Sequence, residues 1–148
     1  MVRYVHTNLV ARDVARLIAF YTSVLGCAHI GETRDLSGDW LDRLTGVPGA
    51  HIRGEHLLLP GFGPDHPTLE IFAYDAMPDA GPHRIDAPGL AHLAFEVDDV
   101  SATLAEVLAA GGGQVGEVVR TEYTDGRVAE FVYATDPEGT IIELQHWA

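Results

Sequence analysis

Apolar and polar residues alternate along positions 3–10, with Tyr4, His6 and Asn8 on one face and Val5, Thr7 and Leu9 on the other, which predicts a strand. The period then changes. Val14, Leu17, Ile18, Tyr21 and Leu25 recur at helical spacing behind Asp13, an N-cap residue, and Gly26 stands in the C′ place that ends a helix. Residues 27–33 are expected to form a second strand. Residues 34–50 make a polar excursion in which Trp40, Leu41 and Leu44 share one side of a short helix and Val47-Pro48-Gly49 makes a turn. Two readings of the excursion stand side by side: a lid or substrate loop, and a surface loop with Trp40 tucked against the sheet. Residues 51–60 and 68–74 follow as strands, joined by a turn at 61–66.

Residues 75–89 hold three prolines and two glycines and read as a linker. Beyond it the order repeats. A strand at 90–97 leads to a helix from Asp99, with Val100, Leu104, Val107 and Leu108 apolar, and Gly111-Gly112-Gly113 stops it. Strands are expected at 114–121, 127–134 and 140–147, the last after the turn Asp136-Pro137-Glu138-Gly139. Placing His6 on His92, an offset of 86, also places Asp13 on Asp99, Val14 on Val100 and Gly26 on Gly112. Leu69-Glu70-Ile71 falls on Ile142-Glu143-Leu144 at an offset of 73, and the 34–50 excursion accounts for the difference. Self-similarity of this kind fixes architecture before any local assignment. The chain reads as two copies of one strand–helix–strand–strand–strand unit: a first at 1–74, the linker at 75–89, and a second at 90–148, together one domain of 148 residues.

Composition narrows the functional classes. A hydrophobic share of 47% is enough to bury a core, and a net charge of −13 with no lysine argues against nucleic acid or an anionic membrane as partner. Cys27 is the single cysteine, so no internal disulfide and no cysteine-based zinc site is expected. No run reaches the roughly 18 apolar residues of a membrane span, and the first residues lack the apolar core of a signal peptide. A cytoplasmic location is the expectation.

The repeat sets His6 and His92 on the opening strands and Glu70 and Glu143 on the closing ones. All four sit among apolar neighbours, where an unpaired carboxylate is costly to bury. A single histidine or glutamate so placed is ordinarily a hydrogen-bonded or solvent-facing strand residue. Four in equivalent places are explained together by one divalent metal, since imidazole with carboxylate suits Zn, Ni, Co, Mn or Fe. Other candidates carry less. Gly111 to Gly116 fits G-x-G-x-x-G but follows a helix and precedes a strand, the reverse of a dinucleotide fingerprint. His51 and His56 fall on opposite faces of their strand and are expected as surface residues without useful partners. His66 and His83 are expected in solvent, and His146 on the face opposite Glu143. Tyr133, Phe131 and Phe72 have inward parities, suiting a pocket lining or plain core, and Glu96 shares the face of His92 as a possible partner to it.

The constellation resembles the vicinal oxygen chelate superfamily, which includes glyoxalase I, methylmalonyl-CoA epimerase, extradiol dioxygenases and bleomycin- and fosfomycin-resistance proteins. The resemblance rests on His6 with Phe20-Tyr21-Thr22-Ser23-Val24-Leu25-Gly26, on Leu69-Glu70-Ile71-Phe72, on His92 with Phe95-Glu96-Val97-Asp98-Asp99, and on Asp136-Pro137-Glu138-Gly139 before Ile142-Glu143-Leu144. It implies an α+β fold of two βαβββ modules forming a curved mixed sheet around a metal site, and a homodimer. The ligand set His6, Glu70, His92 and Glu143 is similar to that of bacterial, nickel-type glyoxalase I. Extradiol dioxygenases use two histidines and one carboxylate, bleomycin-binding members lack the metal set, and the epimerase carries Gln where this chain has Glu70. The implied activity is that of a lyase or isomerase using Ni, Zn, Co or Mn. It takes a proton from beside a carbonyl in a small carbonyl compound or its thiol adduct, with a metal-stabilised enediolate. Glu143 is implied as the base, with Glu70 its symmetric alternative. The alternatives are a resistance-type protein that sequesters its ligand, with or without a metal, and an acyl-CoA epimerase. Val10 stands where the glutathione-using members carry Arg, so the resemblance leaves the use of glutathione open.

Overall fold

The structure is a computed structural model that describes residues 1–63, 65 and 67–148; Pro64 and His66, within the turn expected at 61–66, lie outside the described residues. Contacts divide the chain into two compact units, Met1–Ala80 and Gly81–Ala148. The fold is α+β, each unit a βαβββ module with a mixed sheet.

In the first unit β1 (His6–Val10) is followed by α1 (Val14–Ser23), β2 (Ala28–Ser37), α2 (Asp39–Thr45), β3 (His51–Leu58) and β4 (Thr68–Tyr74). The sheet runs β1-β4-β3-β2, with β1 parallel to β4 and the other neighbours antiparallel. Asp13 caps α1 as its side chain accepts from the Arg16 N–H at 3.0 Å. Leu17, Ile18, Phe20 and Tyr21 are buried along this helix, which lies against β3 and β4. Each such side chain contributes about 1.5–3 kcal/mol by leaving water. On β4 Leu69 and Ile71 alternate with Glu70 and Phe72, and all four are buried, so this strand is covered on both faces.

The excursion departs from expectation in two ways. The second strand does not stop at 33 but continues to Ser37, past a register irregularity between Ile30 and Arg34. In this extension Asp35 lies opposite Arg53, with Arg53 Nε 3.5 Å from Asp35 Oδ2. The helix that follows buries Leu41, which packs with Ala50, Ile52 and Phe72, whereas Trp40 is 49% and Leu44 73% exposed. Of the three apolar residues, Leu41 alone is buried. Trp40 is therefore not the residue tucked in.

In the second unit β5 (Leu93–Glu96) leads to α3 (Val100–Ala109), β6 (Gly113–Gln114), β7 (Val119–Glu122), β8 (Val128–Thr135) and β9 (Ile141–Trp147). β5 runs parallel to β9, β9 pairs antiparallel with β8, and β6 and β7 both pair with β8. The strand expected at 114–121 is thus two short pieces. Asp99 caps α3 through the Ala102 N–H at 2.8 Å. Val100, Leu104 and Val107 are buried, but Leu108 is 45% exposed. Gly112 comes close to β8: a Cβ there would stand 2.3 Å from the Thr135 carbonyl oxygen. Asp136, 1% exposed, accepts from the Glu138 and Thr140 N–H groups at 2.9 Å each and so shapes the turn into β9. Among the described residues no helix is long and apolar enough to cross a membrane.

Candidate metal centre

In the first unit Glu70 is 8% exposed and lies at the middle of the sheet. The ladder sets Asn8 beside it on β1 and His56 beside it on β3. Its Oε2 is 3.3 Å from His6 Nε2 and accepts from Asn8 Nδ2 at 3.2 Å, while Oε1 is 3.1 Å from His56 Nε2. The His56 ring stands edge-on to Phe72, with centroids 5.7 Å apart, and 6.5 Å from the His6 ring. Burial holds the His56 pKa below the ordinary histidine range, outweighing the attraction of Glu70, with Arg34 and His6 acting in the same direction as burial. The ring is therefore neutral at pH 7, with one N–H to give.

The second unit repeats the layout with different neighbours. Glu143 Oε2 is 3.4 Å from His92 Nε2. The flanking ladder positions are Ala94 on β5 and Tyr133 on β8. Tyr133 lies 5.1 Å from the His92 ring, centroid to centroid, and its phenol is pushed up by burial and then by its hydrogen bond to Glu143. A protonated phenol donates to the carboxylate. His92 sits one residue before β5, whereas His6 opens β1.

Each unit thus presents a histidine nitrogen and a glutamate oxygen about as far apart as two ligands of one ion. Donors roughly 2.1 Å from a metal at a near-tetrahedral angle lie about 3.4 Å from each other. A direct charge-assisted hydrogen bond closes to about 2.7–2.9 Å instead. His92 Nδ1 is a buried nitrogen with no hydrogen-bond partner among the described residues. The donor chemistry of both pairs fits a divalent metal. Among the described residues no group of three or more His, Cys, Asp or Glu is arranged to hold an ion by itself.

The remaining candidates fall as follows. His51 and His56 do lie on opposite strand faces, but the expectation that neither is usefully paired is wrong for both. His56 meets Glu70. His51 Nε2 is 2.5 Å from Asp35 Oδ1 and its Nδ1 is 2.9 Å from Asp75 Oδ2, with Arg53 Nη1 2.7 Å from Asp75 Oδ1. The hydrogen bonds to Asp35 and Asp75 raise the His51 pKa, and the bond to His51 lowers both aspartates. His146 bonds the Val97 carbonyl through Nδ1 at 2.9 Å, and Glu96 and His83 are exposed. Phe72 is core, and Phe131 stacks edge-on to Trp147 at 5.5 Å. The Cys27 thiol is pushed up to about 12 by burial. Asn8 shares the face of His6 in the sequence pattern, but nothing there names Glu70 as the partner of Asn8 or of His56; the ladder register supplies both pairings.

The comparisons with known proteins follow the same outline. A profile of the Glyoxalase/Bleomycin resistance protein/Dioxygenase superfamily matches residues 3–144. The uncharacterized protein YaeR of Escherichia coli is 30% identical over 141 residues, covering 94% of this chain and 92% of its own. A glyoxalase family protein from Bacillus cereus superposes with a TM-score of 0.83 at 22% identity, over 99% of this chain and 95% of its own. The trypanothione-dependent glyoxalase I of Leishmania major superposes with a TM-score of 0.63 at 23% identity, over 99% and 87%. At such identities these two likenesses are of fold alone. The profile match is different, because it spans both histidine–glutamate pairs, and by it the chain belongs to the Glyoxalase/Bleomycin resistance protein/Dioxygenase superfamily.

Proposed function

We propose that the protein is a metal-dependent lyase or isomerase of the glyoxalase type, acting on a small carbonyl compound or its thiol adduct. The observation that carries this reading is the repeated pair: His6 with Glu70 at 3.3 Å and His92 with Glu143 at 3.4 Å. In this reading His6, Glu70, His92 and Glu143 are ligands for a divalent metal, Ni, Zn, Co or Mn. When bound, the ion supplies Lewis-acid stabilisation of negative charge on the substrate oxygens, an effect worth several kcal/mol.

The chain's own residues do the rest. Glu143 takes the proton from the carbon beside the carbonyl and returns it to the same or the adjacent carbon, a role that typically contributes about 10²–10⁴-fold. The Tyr133 hydroxyl donates to this carboxylate and so restricts its rotation. Glu70, engaged on both oxygens, stays in place. Val10 in place of a glutathione-contacting Arg favours a substrate other than a glutathione adduct.

Elemental analysis of protein purified without chelator should find about one metal per chain, lost in His6→Ala and in Glu143→Ala. Glu143→Gln should abolish turnover of the responsive carbonyl substrate while keeping appreciable metal; turnover at the wild-type rate would remove Glu143 as the base. Tight ligand binding with no product formed would instead support a sequestering protein.

A further inference from the structure

Each glutamate is flanked in its sheet by two ladder neighbours whose side chains share its face. In the first unit both are polar and both touch the carboxylate: Asn8 reaches Oε2 at 3.2 Å and His56 lies 3.1 Å from Oε1. In the second unit the equivalent places hold Ala94, which has nothing to give, and Tyr133. The repeat thus keeps the histidine–glutamate pair and changes what surrounds it.

We propose that His56 is a positioning residue for Glu70. By occupying Oε1 it fixes the carboxylate rotamer and leaves Oε2 beside His6 Nε2 as the oxygen offered to a metal. Its own place is well determined. The side chain is 23% exposed, the ring is set edge-on to Phe72, and the ladder puts it directly opposite Glu70. Partners that orient a ligating carboxylate from behind typically matter by about 10–100-fold in metal affinity. A glutamate free to turn between two oxygens loses that preorganisation before any ion arrives. This inference rests on the metal reading above.

The test is titration of metal-free, full-length protein with Ni(II), and separately with Zn(II), for wild type, His56→Ala, His56→Gln and His29→Ala. His56→Ala should bind about 10–100-fold more weakly, with stoichiometry and far-UV circular dichroism unchanged. His56→Gln, whose amide can still donate to Oε1, should recover most of the loss. His29, paired with Glu55 at 2.6 Å elsewhere on the sheet, is the control and should change nothing. Wild-type affinity in His56→Ala would overturn the role given to His56 and leave the metal reading standing. Equal weakness of the Ala and Gln variants, both folded, would also overturn it. Wild-type protein that takes up no metal would overturn the metal reading and the role of His56 together.

Discussion

Gly54→Ala is expected to be among the most damaging single-atom changes in the chain. Gly54 is buried on β3, opposite Phe72 in the ladder and two residues from His56. A Cβ there would stand 1.9 Å from the Ile71 carbonyl oxygen, 2.4 Å from Phe72 Cδ1 and 2.8 Å from the Ile71 carbonyl carbon. Contacts below 3.0 Å are essentially unseen, so the carbonyl must retreat by the missing 1.1 Å or the strands must part by as much. Such a retreat stretches a ladder bond of about 2.9 Å to about 4 Å, beyond hydrogen-bonding range. Losing two such bonds costs about 1 kcal/mol each, and forced overpacking adds about 1–3 kcal/mol, giving roughly 3–5 kcal/mol in all. That is a large share of the roughly 5–15 kcal/mol that holds a typical domain folded. The assay is urea unfolding at 25 °C, followed by circular dichroism and tryptophan fluorescence, with Gly116→Ala as control. Gly116 has open space around it and no left-handed backbone, so its variant should stay within about 0.5 kcal/mol of wild type. A loss below about 1 kcal/mol for Gly54→Ala would show that β3 and β4 separate freely, and the reasoning would fail.

Three further outcomes follow from other parts of the molecule. Asp136→Ala removes a buried carboxylate that accepts two N–H bonds, and should cost roughly 2–4 kcal/mol in urea unfolding; a change under about 0.5 kcal/mol would refute its role in the turn. The His51 cluster makes stability depend on pH with two signs. Raised His51 contributes fully below its ordinary 6.5, and the contribution fades as pH rises through the raised value. Lowered Asp35 and Asp75 contribute above their ordinary 3.8 and lose it as pH falls through the lowered values. His51→Ala should therefore lower Tm most between pH 4 and 6.5 and progressively less above, and a difference that stays flat from pH 5 to 9 would contradict the linkage. Cys27 is buried and its thiol is pushed up by that burial, so native protein should react with a thiol reagent far more slowly than protein in urea.

Much of the fold is legible in the sequence because it is written twice. The offset between His6 and His92 fixed two modules, and the aspartates at 13 and 99 cap their helices as the pattern implies. The β4 boundaries follow from Thr68–Tyr74 alone, a short apolar run between turn residues. What surrounds the glutamates was not legible. Parity along 51–60 gives the face of His56 but not its partner, which depends on the register of the β3–β4 hairpin, and a connection of nine residues leaves that register open. Trp40 misled for a related reason. Trp40, Leu41 and Leu44 are all apolar, yet the helix buries only Leu41 of the three, and residue type alone does not say which one faces the sheet. Asp35 and Arg53 were likewise invisible as partners until the strand ran on past residue 33.

The parallel pairing of the first and last strands of each module has a consequence for how the protein comes to exist. Asn8 and Glu70 are 62 residues apart in sequence, and their strands meet only when that whole loop is closed. Closing longer loops adds little to the final entropy cost, but distant pairings slow the search for the native state. Neither histidine–glutamate pair can form during early, local folding, when α1 and α3 are the natural first structures. On the proposed metal reading, a half-folded chain carries neither histidine–glutamate pair, and any affinity for an ion arrives only with the completed sheets.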